Sequence, residues 1–236
     1  MKLAGQRILV TGASRGIGRA AAMAFAKEGA HVIVTATSFE PLDSLMAAIT
    51  AQGGQGSIVV ADLMQRSERH RLVEQAGVVD VLLNNAGMLG GRDKLFHTSL
   101  GTFERTLELN TIAPFDLIRL LVPGMVGRGR GTVINVSSSV GLKGRGTWGA
   151  YSTSKCALEG MSHSLSDELE GTGVRCVVVN PGGTRTDMRA EALPAEDPMT
   201  LPTAETIAQP LVELAACKGN KHHGKRYNLR ELAGIA

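Results

Sequence analysis

Tyr151, Lys155 and Ser138 have the types and spacing that suit proton chemistry. Tyr151 and Lys155 are four residues apart in the run AYSTSK, and Ser138 lies thirteen residues before the tyrosine. On a helix, positions i and i+4 share one face, so an ammonium would lie beside a phenol. A free tyrosine has a pKa of about 10, and a neighbouring cation favours the phenolate. A phenol tuned in this way, with a hydroxyl opposite it, suits proton transfer to or from a carbonyl oxygen.

Each of these residues also has an ordinary structural reading. A helical tyrosine often packs its ring, Lys155 would then be a surface lysine, and Ser138 would belong to a loop or a helix cap. Ser137 and Ser139 compete with Ser138 for the role of the serine, and the thirteen-residue offset favours Ser138. Trp148 is expected either to floor a substrate pocket or only to pack.

Other potentially reactive side chains are given structural roles. Cys156 is predicted to be a small packed residue and not a nucleophile. His222 and His223 are predicted to be exposed residues of a strand turn, and no metal site is expected. The three cysteines are odd in number and far apart, which favours a reduced, cytoplasmic protein.

Composition limits the class of protein. The 236 residues are 43% hydrophobic and 20% charged, as expected of one soluble globular domain spanning 1–236. The net charge of +3 is small and no basic run has interleaved aromatics, so nucleic-acid binding is not expected. The N-terminus enters a strand-like run at once, and we read no 18-residue apolar stretch. We therefore expect neither a signal peptide nor a membrane span.

Short β-branched runs alternate with longer helical patterns along the chain. The predicted strands are Arg7–Val10, His31–Thr35, Ser57–Ala61, Val79–Leu83, Thr132–Val136, Arg175–Asn180 and Arg226–Leu229. The predicted helices are Ile17–Glu28, Pro41–Ala51, Arg66–Ala76, Thr102–Met125, Tyr151–Glu170 and Thr203–Lys218. This alternation predicts a single α/β domain with a doubly wound parallel sheet of about seven strands and helices on both faces.

A glycine-rich turn follows the first predicted strand. The run TGASRGIG spaces its glycines as Gly-x3-Gly-x-Gly and leads into a helix. Glycines permit a tight turn and a close approach of backbone to phosphate, and the helix N-terminus offers free N–H groups. The context predicts a dinucleotide site.

The segment after the second predicted strand bears on the choice of nicotinamide cofactor. An NAD enzyme usually places an acid there to hold the ribose hydroxyls, whereas this chain has TATS. Arg15, inside the glycine turn, is positioned to meet a 2′-phosphate, although it is also readable as a solvated loop cation. These features favour NADPH over NADH.

Seven motifs in order give the chain a family resemblance: TGASRGIG (11–18), Asp62-Leu63, NNAG (84–87), Asn110, Ser138, Tyr151-x3-Lys155 and Pro181-Gly182. The chain resembles the short-chain dehydrogenase/reductase superfamily over nearly its whole length. The resemblance implies a Rossmann-type fold and an NADP-dependent oxidoreductase, similar to bacterial 3-oxoacyl-carrier-protein reductases and related short-lid oxidoreductases.

The resemblance also assigns site residues. It implies a tetrad in which Ser138 polarises the substrate oxygen and Tyr151 transfers the proton. Lys155 holds the ribose hydroxyls and lowers the tyrosine pKa, and Asn110 anchors a water that links Lys155 to solvent. The implied cofactor contacts are Gly12, Ser14, Arg15, Gly16, Ile17, Gly18, Thr37, Asp62, Leu63, Asn85, Ala86, Gly87, Tyr151, Lys155, Pro181, Gly182, Thr184 and Thr186. Among these, Asp62 is assigned to the adenine, and Pro181, Gly182 and Thr186 to the nicotinamide carboxamide.

The substrate side is less informative. By analogy, segments 88–99 and 186–202 frame the pocket. The leading interpretation is an NADPH-dependent reductase of small or medium carbonyl compounds, or the reverse alcohol oxidation. The alternatives are a 3-oxoacyl thioester reductase of fatty-acid synthesis and a non-catalytic NADPH-binding regulatory protein.

The resemblance implies a homodimer or homotetramer assembled through the long helices. Leu117, Ile118, Leu121 and Val122 fit this expectation because they are more apolar than one buried face requires.

Overall fold

Seven parallel strands form one sheet in the computed structural model, which describes residues 1–235. The strands are β1 (Arg7–Thr11), β2 (His31–Thr35), β3 (Gln55–Ile58), β4 (Val81–Asn84), β5 (Gly131–Val136), β6 (Val174–Asn180) and β7 (Arg226–Asn228). Their order across the sheet is β3-β2-β1-β4-β5-β6-β7, and every neighbouring pair is parallel. This is the predicted Rossmann-type doubly wound sheet, so the expected fold class is confirmed.

Helices cover both faces of the sheet. They are α1 (Gly16–Lys27), α2 (Phe39–Ala51), α3 (Arg66–Ala76), α4 (Leu100–Leu107), α5 (Ala113–Gly127), α6 (Gly149–Glu168), α7 (Asp187–Ala192), α8 (Ala204–Ala216) and α9 (Leu229–Leu232). Along β1, Ile8 and Val10 join the core under α1 and α8, whereas Leu9 joins the core under α3 and α5. This alternation is the period of two that a strand imposes on its side chains.

The chain reverses its direction of winding between β1 and β4. From β1 it winds outward to β2 and β3, then returns to the other side of β1 and continues through β4 to β7. In open α/β sheets, ligands bind at the carboxyl ends of the strands beside such a switch point. Thr11 ends β1 and Asn84 ends β4, so the expected ligand crevice lies directly beyond these two residues.

Most strands start or end one to three residues away from the predicted boundary, and β3 and β4 show why. β3 starts at Gln55, two residues before the predicted Ser57, because Gln55 and Gly56 pair with β2 although neither is apolar. An edge strand tolerates such residues, since one side of it faces no neighbour. β4 extends to Asn84. The side-chain nitrogen of Asn84 donates to the side-chain oxygen of Asn135, which lies on β5, at 2.9 Å.

The predicted helix Thr102–Met125 lies within one unbroken helical segment, but a wider turn in its middle departs from α-helical geometry. A π-helical segment, Glu108–Ile112, joins α4 to α5. Pro114 explains the widening because it has no N–H to donate to the carbonyl of Asn110, four residues earlier, and its ring would crowd that carbonyl. Asn110 is therefore in the irregular part of the helix.

The expectation that no apolar stretch of 18 residues exists is wrong. The helical segment Leu100–Gly127 contains an 18-residue window with a mean hydropathy of 1.3, enough by length and composition for a membrane span. Half of that window is buried inside the domain, and Arg69 of α3 contacts Asp116 within it at 2.8 Å. We interpret the segment as a core helix.

The four apolar residues that were expected to fit an oligomer interface are core residues. Leu117, Ile118, Leu121 and Val122 are at most 7% exposed and pack under the sheet. They therefore give no support to an oligomer, contrary to the expectation. The exposed large apolar side chains of this helical segment are Leu100, Ile112, Phe115 and Val126.

Two structural readings of reactive side chains are also wrong. Cys156 is exposed and not packed. His223 is not an exposed turn residue, since its side chain is 7% exposed. Its Nδ1 accepts from the Cys176 amide at 3.3 Å while its Nε2 lies 3.0 Å from the Ser166 carbonyl. His223 thus links β6 to α6, and no metal-binding cluster occurs within residues 1–235.

Candidate active site

The site lies at the carboxyl ends of the central strands, where two adjoining cavities meet. A cleft of about 310 Å³ runs from the glycine turn to α6, the helix that carries Tyr151 and Lys155. A smaller cavity of about 150 Å³ lies beside it, towards α7. Tyr151 lines both, so its ring marks the boundary between them. We call the larger one the cofactor cleft and the smaller one the substrate cavity, after the ligands that the sequence predicts for them.

The glycine turn fits a dinucleotide phosphate. α1 begins at Gly16 with no side-chain cap and no acid in its first turn, so no side chain of the helix itself competes for its free N–H groups. Gly12 has φ +64, and a Cβ there would lie 2.8 Å from the Ala86 Cα. Asn85 holds the turn in place through its amide nitrogen, which donates to the Thr11 carbonyl at 2.9 Å.

All but three of the predicted cofactor contacts line the cofactor cleft. Those that do are Gly12, Ser14, Arg15, Gly16, Ile17, Thr37, Asp62, Leu63, Asn85, Ala86, Gly87, Tyr151, Lys155, Pro181 and Thr186. Gly18 instead packs beneath the turn, where a Cβ would collide with the Gly12 carbonyl oxygen. Gly182 and Thr184 line the substrate cavity.

The end of the cleft beyond β2 has no acid. β2 ends at Thr35, and Ala36 and Thr37 line the cleft next to it. Arg15 lies on the same cleft, and its Nη1 is 3.1 Å from Asp187 Oδ2 on α7. Both side chains are about three-quarters exposed, at 75% and 73%. Such a pair contributes little stability, so a phosphate can compete for the guanidinium.

Tyr151 and Lys155 lie on the same face of α6, as predicted. Tyr151 is 9% exposed and Lys155 is 4% exposed. The Lys155 ammonium donates to the Val136 carbonyl at 2.8 Å, at the end of β5. Its Nζ is 5.6 Å from the centroid of the Tyr151 ring. The lysine is thus held between the sheet and the tyrosine, facing the cofactor cleft.

The expected lowering of the tyrosine pKa is wrong for this structure. Burial raises the pKa of Tyr151 to about 12, because a phenolate would lose its hydration, and a hydrogen bond with Ser138 lowers it only in part. Burial also lowers the pKa of Lys155 to about 8, and the negative charge of Glu159 opposes that shift. At neutral pH the phenol is therefore protonated and the ammonium is largely charged.

The three neighbouring serines differ in exposure. Ser137 is 1% exposed and its hydroxyl has no partner within residues 1–235, whereas Ser139 points outward. Ser138 lies between these extremes, lines the substrate cavity and hydrogen-bonds with Tyr151. All three serines line the cavity that Tyr151 also lines, and Ser138 is distinguished from the other two by its interaction with the phenol.

Asn110 is fully buried in the π-helical segment, next to α6. Its amide oxygen accepts from the Met88 amide at 2.9 Å, and its amide nitrogen donates to the Met88 carbonyl at 2.9 Å. The same nitrogen donates to Ser154 on α6 at 2.9 Å. Asn110 thus ties the segment after β4 to the helix that carries Tyr151 and Lys155.

The two predicted substrate segments meet at the smaller cavity. Leu89 of segment 88–99 and Met188 of segment 186–202 both line it. Arg92 joins the segments by donating to the Ala192 carbonyl at 2.6 Å. Trp148 packs and also lines the cavity, with its ring centroid 6.0 Å from that of Tyr151.

Two residues that the sequence analysis missed hold the loop that carries Ser138. Arg226 on β7 donates to Glu159 Oε1 at 2.9 Å and to the Ser138 carbonyl at 3.1 Å. Glu159 is 3% exposed, and its second carboxylate oxygen has no partner within residues 1–235. Glu159 was detectable, because it lies one helical turn after Lys155. Arg226 was not, since only the folded sheet brings it near.

These features define a class of protein. A doubly wound parallel sheet, an open helix N-terminus at its switch point and a buried Tyr-Lys-Ser set beside it are those of a dinucleotide-dependent oxidoreductase. The family described as short chain dehydrogenase matches residues 6–197 of the chain. The protein belongs to the short-chain dehydrogenase/reductase family and is an oxidoreductase of that family.

Known proteins of the family resemble the chain over most of its length. The uncharacterized oxidoreductase YciK of Escherichia coli K12 is 39% identical over 207 residues, covering 85% of this chain and 82% of YciK. The 3-oxoacyl-[acyl-carrier-protein] reductase FabG of Thermotoga maritima is 35% identical over 199 residues, covering 82% and 80%. A putative short chain dehydrogenase from Escherichia coli CFT073, solved in complex with NADPH, superposes with a TM-score of 0.91 at 35% identity, covering 97% and 98%.

Proposed function

We propose that the protein is an NADPH-dependent reductase of small or medium carbonyl compounds, with Tyr151 as the proton donor. The observation that carries this proposal is the position of Tyr151 on the boundary between the two cavities, with Ser138 bonded to it on the substrate side. Lys155 lines the cofactor side of the same boundary. A carbonyl oxygen bound between Ser138 and Tyr151 would meet two hydroxyl donors.

The protonation states favour reduction. A phenol whose pKa is raised to about 12 is protonated at neutral pH, which is the form that donates to a developing alkoxide. The charged Lys155 beside it stabilises the phenolate that remains after the transfer. NADPH, when bound, supplies the hydride. In the reverse direction the tyrosine must first lose its proton, so alcohol oxidation is expected to gain from higher pH.

Asn110 and Ser138 have separate parts in this proposal. Ser138 orients and polarises the carbonyl oxygen from the substrate cavity. Asn110 positions α6 against Met88, and the carbonyl of Asn110 receives no N–H from Pro114, which leaves it open to a water. Such a water would return a proton towards Lys155, in keeping with the role implied by the resemblance.

We propose NADPH as the preferred nicotinamide cofactor. The end of β2 offers Ala36 and Thr37 and no acid, so nothing there repels a 2′-phosphate. Arg15 supplies a guanidinium on the same cleft. The related structure from Escherichia coli CFT073 that binds NADPH supports the same choice.

A 3-oxoacyl thioester reductase is the second candidate, favoured by the similarity to the Thermotoga maritima FabG. The test is NADPH consumption with purified protein and a panel of aldehydes, ketones and an acetoacetyl thioester. Turnover of simple carbonyls supports the leading proposal, and turnover of the thioester alone supports the second. Tight NADPH binding without turnover of any member of the panel contradicts both and favours a regulatory role.

Assembly and location remain predictions. Ile112 and Phe115 are 43% and 50% exposed on one long helical segment, and this apolar surface supports association of two copies. We expect a homodimer or homotetramer by light scattering, and a monomeric mass at micromolar concentration would contradict this. We also expect a cytoplasmic protein.

A further inference from the structure

The loop after β5 presents a guanidinium to the substrate cavity. Arg145 lines the cavity together with Ser138 and Tyr151. Its Cζ lies 5.3 Å from the centroid of the Trp148 ring, and the same indole contacts Tyr151 edge-on. Among residues 1–235, no carboxylate forms a salt bridge with Arg145. The guanidinium is therefore held by an aromatic face and keeps its hydrogen-bond donors available.

The cavity has no negative charge of its own to balance this cation. None of its lining residues is an aspartate or a glutamate. The other guanidinium on its wall, that of Arg189, is neutralised by Glu196 through two nitrogen–oxygen contacts of 2.6 and 2.7 Å. A second cation, Arg92, lies 5.7 Å from the Trp148 ring and bonds only to a backbone carbonyl. The two guanidinium groups nearest the Trp148 ring, those of Arg145 and Arg92, therefore have no carboxylate bonded to them within residues 1–235, although Asp93 pairs with Trp148 through the backbone.

The sequence carries the same imbalance. Between Asp116 and Glu159 the chain has no acidic residue, and the loop that ends at Trp148 holds both Lys143 and Arg145. A cavity wall of this kind repels cationic substrates and attracts anionic ones.

The loop backbone is strained in a way that holds Arg145 and Trp148 in place. Thr147 has φ +67, and it is the one non-glycine residue with a positive φ within residues 1–235. A β-branched residue in this region is strained and persists only where the surrounding structure imposes it. The Trp148 amide donates to the Arg145 carbonyl at 3.1 Å and closes the turn. Such strain is commonly found at ligand-binding sites.

Trp148 adds an unsatisfied donor to the same wall. Its indole Nε1 is buried and has no acceptor within residues 1–235. A buried N–H without a partner is unfavourable, so a ligand oxygen that reached it would be favoured.

We propose that Arg145 binds a carboxylate of the substrate, so that the enzyme reduces short oxo acids in preference to neutral carbonyl compounds. The inference rests on the proposed reductase function and names its substrate class. A guanidinium binds a carboxylate through two parallel N–H bonds, which also fixes the orientation of the substrate. The carbonyl end then reaches Ser138 and Tyr151 across Trp148. A cavity of about 150 Å³ suits such short molecules, since pockets for drug-sized ligands measure roughly 300–1,000 Å³.

The test compares kcat/KM for each of several short oxo acids, including pyruvate and levulinate, with that of its methyl ester. The wild type is expected to favour at least one acid over its ester by about tenfold or more, the value of a charge-assisted bond. Arg145→Ala should reduce that preference by about 10- to 100-fold. Arg145→Lys should restore part of it, because lysine keeps the charge but lacks the planar guanidinium that donates two parallel hydrogen bonds. Lys143→Ala, on the same loop but not on the cavity wall, should leave the preference unchanged.

Binding gives a second readout that does not depend on turnover. Trp148 is the only tryptophan of the chain, so its fluorescence reports on the cavity directly. Levulinate should quench it in the wild type with NADP+ present, and much less in Arg145→Ala, whereas methyl levulinate should be weak in both. Turnover of esters or other neutral carbonyls with no preference for any acid would overturn this inference and leave the reductase function intact. Absence of turnover throughout the panel would contradict the reductase function itself, and quenching by levulinate would still decide whether Arg145 binds a carboxylate.

Discussion

Arg226 donates to Glu159 at 2.9 Å, and through this pair the last strand of the sheet supports α6, the helix that carries Tyr151 and Lys155. Glu159 lies one helical turn after Lys155, and its charge opposes the loss of the lysine proton. A second nitrogen of Arg226 donates to the carbonyl of Ser138 at 3.1 Å. One ion pair therefore acts on two members of the site, the charge of Lys155 and the position of the serine. Neither Glu159 nor Arg226 lines the cofactor cleft or the substrate cavity, so both are positioning residues.

The first prediction concerns the pH dependence of reduction. Burial holds the pKa of Lys155 at about 8, so activity that needs its charge should fall as the pH rises through this value. Glu159→Gln removes a negative charge that favours the charged lysine, which should move the fall to lower pH. The pH profile of kcat measures the effect, and Glu168→Gln, an exposed acid on the same helix, is the control. An unchanged profile in Glu159→Gln would remove Glu159 from the mechanism.

The second prediction concerns the stability cost of the buried lysine. Its pKa is about 8 in the folded protein and 10.5 in its ordinary state, so the unfolded chain binds more protons between these pH values. Stability from this group therefore rises with pH across that window and is lowest below pH 8. Lys155→Met should raise the free energy of unfolding at pH 7 by about 1–3 kcal/mol, while abolishing turnover.

Urea denaturation at several pH values measures this gain. The advantage of Lys155→Met over wild type should shrink as the pH rises above about 8, because the folded wild type then holds a neutral lysine. Lys143→Met, at an exposed position, should change stability by no more than about 0.5 kcal/mol. A variant at position 155 that is less stable than wild type at pH 7 would show that the hydrogen bond to Val136 outweighs the cost of burial.

The third prediction concerns the glycine turn. A Cβ at Gly18 would collide with the Gly12 carbonyl oxygen, so Gly18→Ala must displace either the turn or α1. We expect a loss of about 1–3 kcal/mol in stability, the usual cost of overpacking, and much weaker NADPH binding. Gly101→Ala, in a helix with open space around it, is the matched control; it should leave NADPH binding unchanged and stabilise the protein by up to about 1 kcal/mol. Wild-type NADPH affinity in Gly18→Ala would mean that the turn is not the phosphate site.

The fourth prediction concerns cofactor choice. Arg15→Ala should weaken NADPH binding by about 10- to 100-fold and leave NADH binding nearly unchanged, because only NADPH carries the 2′-phosphate. Asp187→Asn is the control, since it removes the partner of Arg15 in this structure but keeps the guanidinium. Titration of both cofactors by fluorescence measures these affinities. Equal affinity of the wild type for NADH and NADPH, unaltered in Arg15→Ala, would overturn the preference.

The sequence was most informative where one periodic signal decides the structure. The apolar runs at β1, β2, β5 and β6 predicted strands close to those observed, since parallel strands covered on both faces consist almost wholly of β-branched and aliphatic residues. It was least informative at β3, an edge strand that begins with Gln55 and Gly56. The π-helical segment was also missed, although Pro114 was visible as its cause.

The same distinction applies to the candidate site, where features fixed by the helical period were predicted and features that depend on tertiary contacts were not. The spacing of Tyr151 and Lys155 predicted a shared helix face correctly, because the helical period alone fixes it. The pKa of Tyr151 was predicted with the wrong sign, since burial depends on surrounding elements that the motif does not contain. Arg145 and Arg226 were not singled out for a related reason. Their importance lies in what they face, and only the tertiary structure brings Arg145 to Trp148 and Arg226 to Glu159.

The measurement that tests the central claim most directly is NADPH-dependent carbonyl reduction by Tyr151→Phe beside the wild type. The change removes one hydroxyl at the boundary of the two cavities and keeps the ring that packs against Trp148. We expect kcat to fall by about 100-fold or more, the usual contribution of general acid catalysis, while the Kd for NADPH changes little. Turnover within a few-fold of wild type would contradict the account, because the proton would then come from a group other than Tyr151.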